Sequence, residues 1–158
     1  MAGAGGVWHL ERDLRRIPQG VGSRGVKRGV KMNTIRVLKP KRDGQVFKMG
    51  NAQSIKVLYP EMGAKNITLN YGEHPPGAEF RQHVHEKSED VIICISGSGV
   101  IRSGDVRTPF EAGDIIYVPA GIVHGTINTG SEPLVMFSCQ APPDLGLYTG
   151  EKDRDQAR

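Results

Sequence analysis

The chain has 158 residues, a length that suits one domain able to bury a core without disulfide staples. No stretch has the apolar length to cross a membrane, and the opening MAGAGGVWHLERDLRR puts charges where a secretory leader needs apolar residues, so a membrane-bound or exported chain is not indicated. The net charge of +4 divides unevenly: residues 1–48 carry twelve Lys or Arg against three acids, and residues 49–158 carry nine against fourteen.

In chain order, residues 1–31 form the basic arm. Such an arm can serve nucleic acid or an acidic partner, but GVGSRGVKRGVK has no aromatic interleaving and no helical period, so it is read as a solvated, poorly ordered tail and nucleic-acid binding is not favoured. A natural start at Met32 is a further reading, since MNTIRVLKPKRDG opens like a first strand. His9 lies in the arm with no partner at metal-ligand spacing.

From residue 34 the chain becomes a series of short β-rich runs divided by Gly, Pro, Asn and Asp: TIRVL, QVFKM, SIKVLY, NITLNY, VIICIS, GVIRS, DVRTPF, DIIYVP, GTIN and LVMFSC. Regular short strands with no sustained helical period predict an all-β barrel or sandwich with little helix. Ser103-Gly104-Asp105 predicts a tight hairpin turn. Cys94 and Cys139 sit inside apolar runs, as reduced, buried thiols do. A bridge between them is disfavoured, and the expectation is a reducing, cytoplasmic setting. The expected organisation is the arm 1–31, a barrel over 32–148 and a charged, fraying tail over 149–158.

The stretch GAEFRQHVHEKSEDVIICISG holds His83 and His85 two apart, followed by acids on a rising strand. Residues two apart on a strand face one side, so two imidazoles and a carboxylate would share a cavity as an N/O donor set for a divalent ion. Alone this signal is weak, because a surface strand or loop can carry two histidines without chemistry. GDIIYVPAGIVHGTIN then supplies a strand, a Pro-x-Gly turn and His124.

Together the two stretches resemble the cupin family. The first reads as Gly77, five residues, His83, one residue, His85, four residues, Asp90, six residues, Gly97. The second reads as Gly113, five residues, Pro119, one residue, Gly121, two residues, His124, three residues, Asn128, and fifteen residues separate the two motifs. The resemblance covers roughly residues 45 to 140. It implies an RmlC-like barrel of two antiparallel sheets (a double-stranded β-helix, or jelly roll), one metal bound by three histidines and a Glu, and a homodimer formed through the sheets.

The departure from the family lies in the acid. At the motif spacing stands Asp90, one methylene shorter than Glu, while Glu89 has the usual chemistry one residue early. Adjacent strand residues face opposite sides, so Asp90 is the favoured ligand and Glu89 the alternative. The parity of Asp90 also places Ile92 and Cys94 on the inward face. The three imidazoles suit Fe, Mn, Ni, Zn or Cu, and the competing reading is a barrel that has lost its metal.

Tyr71, Arg81 and Arg102 are the candidate catalytic residues at the pocket mouth, with surface placement the competing reading for each. Glu79 and Gln82 lie close by, and strand parity puts Arg81 rather than Gln82 on the side of His83. His74, before Pro75-Pro76, is read as a loop histidine outside the site. Tyr148, which follows the barrel, is read either as folding across one end as a lid or as packing at a subunit contact, with packing the favoured reading. Fold does not give function, so two readings stand. One is an enzyme acting on a small oxygenated metabolite (a sugar, or a keto or hydroxy acid) by Lewis-acid isomerase or lyase chemistry or by metal-dependent oxygenation. The alternative is a non-catalytic sensor or carrier of such a metabolite.

Overall fold

A computed structural model describes residues 34–150 and residue 152. The basic arm, His9, Met32 and the tail residues 151 and 153–158 lie outside the described residues.

The expected strand at TIRVL does not form. Ile35 is fully exposed and Val37 nearly so, because the run has no strand to pair with before Pro40 opens a helical turn, α1 (Pro40–Asp43). The other runs do become strands: β1 (Gln45–Met49), β2 (Ala52–Leu58), β3 (Thr68–His74), β4 (Glu79–His83), β5 (Glu89–Ser96), β6 (Ser98–Ser103), β7 (Val106–Glu111), β8 (Ile115–Val118), β9 (His124–Ile127) and β10 (Leu134–Ala141). Besides α1, the helical pieces among the described residues include a 3-10 turn at Pro60–Met62 and α2 (Gly146–Thr149). The described chain is therefore all-β with little helix.

The strands form a six-stranded sheet ordered β1-β2-β3-β10-β5-β8 and a four-stranded sheet ordered β4-β9-β6-β7, with every pairing antiparallel. Parity follows from the pleat. On β5, Asp90, Ile92 and Cys94 are buried while Glu89 and Ile93 are exposed; on β3, Thr68, Asn70, Gly72 and His74 are buried. The hairpin at Gly104 and Asp105 forms as expected, with Ser103 paired to Val106 and Gly104 at φ 59°.

The apolar core gathers Ile92, Cys94, Phe110, Leu134 and Met136. A second cluster of Phe47, Met49 and Leu147, with Phe80 and Tyr148 against it, brings α2 onto β1. Gly97 joins β5 to β6 at φ 83°, where an added Cβ would lie 2.6 Å from the Pro133 carbonyl oxygen, so both conformation and space require glycine. The two cysteines are free. Cys94 points inward, whereas Cys139 sits beside Val91, which alternates out of step with Cys94, so the sheet itself separates them.

Candidate metal centre

His83 ends β4, and His85 stands in the loop that follows, so the pair does not share one strand as the spacing suggested. The loop nevertheless returns His85 to the same point. His124 opens β9 and pairs directly with His83 across the four-stranded sheet, with Asp90 arriving from the facing β5. Exposure is 3% for His83, 1% for His85, 2% for His124 and 3% for Asp90, so all four side chains converge away from bulk water.

The hydrogen bonds at the far side of each ring assign its tautomer. His83 Nδ1–H donates to the Arg81 carbonyl and His124 Nδ1–H to the Ile122 carbonyl, both at 2.9 Å. A carbonyl can only accept, so in the neutral form of either ring the lone pair lies on Nε2. His85 Nδ1–H donates to Asp144 Oδ2 at 2.8 Å, which in the neutral ring likewise puts the lone pair on Nε2. The Nε2 atoms of His83 and His85 are 3.1 Å apart, and two facing lone pairs at that distance repel unless a cation or a proton lies between them. Asp90 Oδ2 is 3.4 Å from His124 Nε2 and 3.7 Å from His85 Nε2.

Metal–nitrogen bonds of about 2.0–2.1 Å place neighbouring donors roughly 2.9–3.4 Å apart; the 3.1 and 3.4 Å separations fall in that range, and the 3.7 Å between Asp90 and His85 lies just beyond it. The three imidazole donor atoms lie within 4.8 Å of one another. Burial and the neighbouring rings push the His83 pKa down to about 3, so it offers a neutral donor at physiological pH. The residues present therefore fit a divalent ion, and the arrangement is compatible with three imidazoles and one carboxylate around it.

Glu89 is exposed and accepts the Tyr117 hydroxyl at 2.7 Å on the outer face. Arg81 departs from the expected parity. A bulge in β4 between Phe80 and His83 shifts the alternation, so Phe80 lines the interior and the Arg81 side chain is exposed. Arg81 serves the site through its backbone carbonyl instead. Gly125 allows this packing, since a Cβ there would meet the Phe80 carbonyl oxygen and the Gln82 nitrogen at 2.7 Å. Tyr71 also lies away from the interior: its ring packs on Phe137 and its hydroxyl donates to Glu73 at 3.0 Å. Arg102 pairs with Glu79 at 2.8 Å and, with His124, lines a depression between β6, β7 and β8. Gln82 bonds both the amide and the carbonyl of Gly104.

Sequence reasoning missed the polar interior. A cavity of about 50 Å³ is bordered by Ser54, Asn70, Thr126, Ser138 and Gln140 beside Asp90 and His124. Gln140 Nε2 donates to Asp90 Oδ1 at 2.9 Å, and its Oε1 accepts from Thr68 at 2.7 Å and Asn70 at 2.9 Å. Tyr148 packs edge-on against Phe47 and closes the chain by donating its hydroxyl to Asn70 Oδ1 at 2.8 Å. His74, expected in a loop, ends β3 inside the barrel. It bonds Ser54 through Nε2, stacks on Phe80, and has no hydrogen-bond partner for Nδ1 among the described residues. The inward parity of β3 and β10 was the available signal for these residues.

A family model described as a cupin domain matches residues 70–139. The chain belongs to the cupin family. An uncharacterized protein of Methanocaldococcus jannaschii is 30% identical over 104 residues, covering 65% of this chain and 77% of that protein. Glucose-6-phosphate isomerase of Pyrococcus abyssi is 34% identical over 97 residues, covering 57% of this chain and 46% of the isomerase. Among solved structures, a double-stranded β-helix protein of Klebsiella pneumoniae aligns with a TM-score of 0.60 at 28% identity, covering 72% of this cupin chain and 95% of the other. The cupin chain spans about half the length, or less, of several of the curated relatives it matches, the isomerase among them. Among its described residues no helix is long and apolar enough to cross a membrane.

Proposed function

We propose that this cupin is a metal-dependent enzyme acting on a small oxygenated metabolite, with one divalent ion held by His83, His85, His124 and Asp90. The observation that carries the reading is the commitment of all three Nδ1 atoms to acceptors, which turns three Nε2 lone pairs and a buried carboxylate toward one point. When bound, the ion supplies Lewis acidity toward a carbonyl or hydroxyl oxygen, or, as iron or copper, a site for oxygen chemistry.

The chain's own residues define what fits beside it. The cavity has room for roughly four water-sized groups at about 10–15 Å³ each, so it suits the oxygen-bearing end of a sugar or a keto or hydroxy acid. Ser54, Thr126 and Ser138 offer hydroxyl groups to such a ligand. Gln140 keeps one oxygen of Asp90 engaged, which turns the other toward the imidazoles. Phe47 and Leu147, brought in by the packing of α2, wall the cavity against water. The partial likeness to a glucose-6-phosphate isomerase favours a sugar-like substrate and catalysis over simple carriage.

A homodimer and a cytoplasmic setting belong to the same proposal. β8 is an edge strand of the six-stranded sheet, and its outer face with β5 exposes Ile93, Ile95, Ile115 and Tyr117, an apolar surface on which a second copy would pack.

The test is element-resolved metal analysis of protein purified without added metal or a histidine tag, beside a His83→Ala, His85→Ala double variant. Near-stoichiometric Fe, Mn, Ni, Zn or Cu in the parent and none in the variant is the expected result. A folded parent that takes up no divalent ion overturns the proposal.

A further inference from the structure

The three imidazoles are not held in the same way. His83 and His124 each donate to a carbonyl two residues earlier in the chain, at Arg81 and Ile122, so local backbone geometry orients both rings. His85 stands in the loop between β4 and β5, and its Nδ1–H finds Asp144 Oδ2, 59 residues away, at 2.8 Å. Asp144 is itself restrained. Its Oδ1 accepts the Gly146 amide at 3.0 Å, and Lys152 Nζ lies 2.9 Å from Oδ2 while also donating to the carbonyl of Val84, beside His85. The Asp144 and Lys152 side chains are each 15% exposed.

We infer that Asp144 is a positioning residue of the metal centre, holding the His85 ring and its lone pair in place, and that Lys152 keeps Asp144 there. This rests on the proposed metal site. It adds a component from beyond β10, since the family match ends at residue 139. A carboxylate accepting from the far nitrogen of a ligating imidazole fixes its tautomer and raises its basicity, more strongly than a carbonyl does. The segment after β10 is fastened to the barrel independently by Leu147 against Phe47 and Met49, and by the Tyr148 hydroxyl on Asn70. Loss of the Asp144 carboxylate therefore leaves the segment docked while releasing His85.

The experiment measures Zn(II) and Co(II) affinity by chelator competition for the parent chain, Asp144→Ala, Asp144→Asn and His85→Ala, with the thermal midpoint of each metal-free protein as a folding control. The His85 Nδ1–H resonance in ¹H–¹⁵N spectra is followed in parallel. The expected loss for Asp144→Ala is roughly 10–100-fold in affinity. Asp144→Asn, whose carbonyl oxygen still accepts, recovers part of it, and the His85 Nδ1–H resonance moves upfield in both variants. Should the parent bind metal and both Asp144 variants match it within about twofold, the inference fails and the metal site stands. It also fails if affinity falls only in step with the thermal midpoint while the His85 resonance stays put. A parent that binds neither ion overturns the metal site and this inference together.

Discussion

Along one face of β10 the interior changes character within a single strand. Leu134 and Met136 point into the apolar cluster with Ile92, Cys94 and Phe110, whereas Ser138 and Gln140, on the same parity, border the cavity beside Asp90, with Met136 and Ile92 at the boundary between the two. β5 runs antiparallel and makes the matching change, with Cys94 opposite Met136, Ile92 opposite Ser138 and Asp90 opposite Gln140. One end of the barrel interior is thus apolar and the other is a hydrogen-bonded polar lattice around the imidazoles. The same backbone geometry thus supplies an apolar core at one end and a polar, imidazole-bearing pocket at the other, and mutation is expected to affect the two separately.

The strongest test of that separation is Leu134→Ala. The side chain is fully buried at the apolar end, and removing it deletes transferred methyl groups and leaves a cavity, an expected loss of about 2–5 kcal/mol. Denaturant unfolding measures the loss, and metal analysis of the folded fraction checks the other end, where stoichiometry should hold. A variant that lost metal as completely as the His83→Ala, His85→Ala protein would show that the two ends act as one unit.

How much of this was legible follows the same divide. The apolar end was readable because Ile92 and Cys94 alternate with the pleat and cluster with other apolar residues. The histidines were readable because His83, His85 and His124 fall in two spaced motifs whose turn glycines, Gly97 among them, are required by the backbone. Thr68, Asn70, Ser138 and Gln140 were not, since isolated polar residues on a strand look like a solvated face until their partners across β3 and β10 are known. The register of Arg81 escaped for a different reason: a bulge in β4 resets the alternation, and nothing local in GAEFRQH marks it. Asp144 lies 59 residues from the ring it serves, beyond the reach of any local pattern.

His74 sharpens the contrast, because its backbone pairs with Leu134 at the apolar end while its ring bonds Ser54 and lines the polar cavity. Burial depresses its pKa from 6.5 to about 4, so the folded protein holds the ring neutral where the unfolded chain would protonate it. The unfolded state therefore binds the proton first. Its contribution is fully present above the unfolded pKa and is lost as pH falls from about 6.5 toward 4. A shift of this size corresponds to roughly 2–3 kcal/mol between pH 7.5 and 4.5. Unfolding of metal-free parent and His74→Gln at those two pH values measures it: the parent should lose that much more stability than the variant. Equal losses would mean that His74 titrates normally and that its buried place beside Ser54 tolerates a charge.

A near-silent change and a damaging one are expected at two neighbours on β5. Glu89 and Asp90 are adjacent, so the pleat sends one outward and the other inward, and their substitution by the matching amides tests that parity directly. Glu89→Gln keeps an acceptor for the Tyr117 hydroxyl in an exposed pair, so stability should stay within about 0.5 kcal/mol of the parent and metal affinity within about twofold. Asp90→Asn has no equivalent escape. If the amide oxygen stays on Gln140 Nε2, the amide hydrogens face the imidazole lone pairs and stand where a cation would sit; if the amide flips, two NH₂ groups confront each other in a buried site. Affinity should fall by more than the roughly 10–100-fold that removal of a supporting partner causes. Competition titrations on the two amide variants measure the split, and the reverse result, with Glu89→Gln the damaging change, would require β5 to slip by one residue and carry Ile92 and Cys94 out of the core with it.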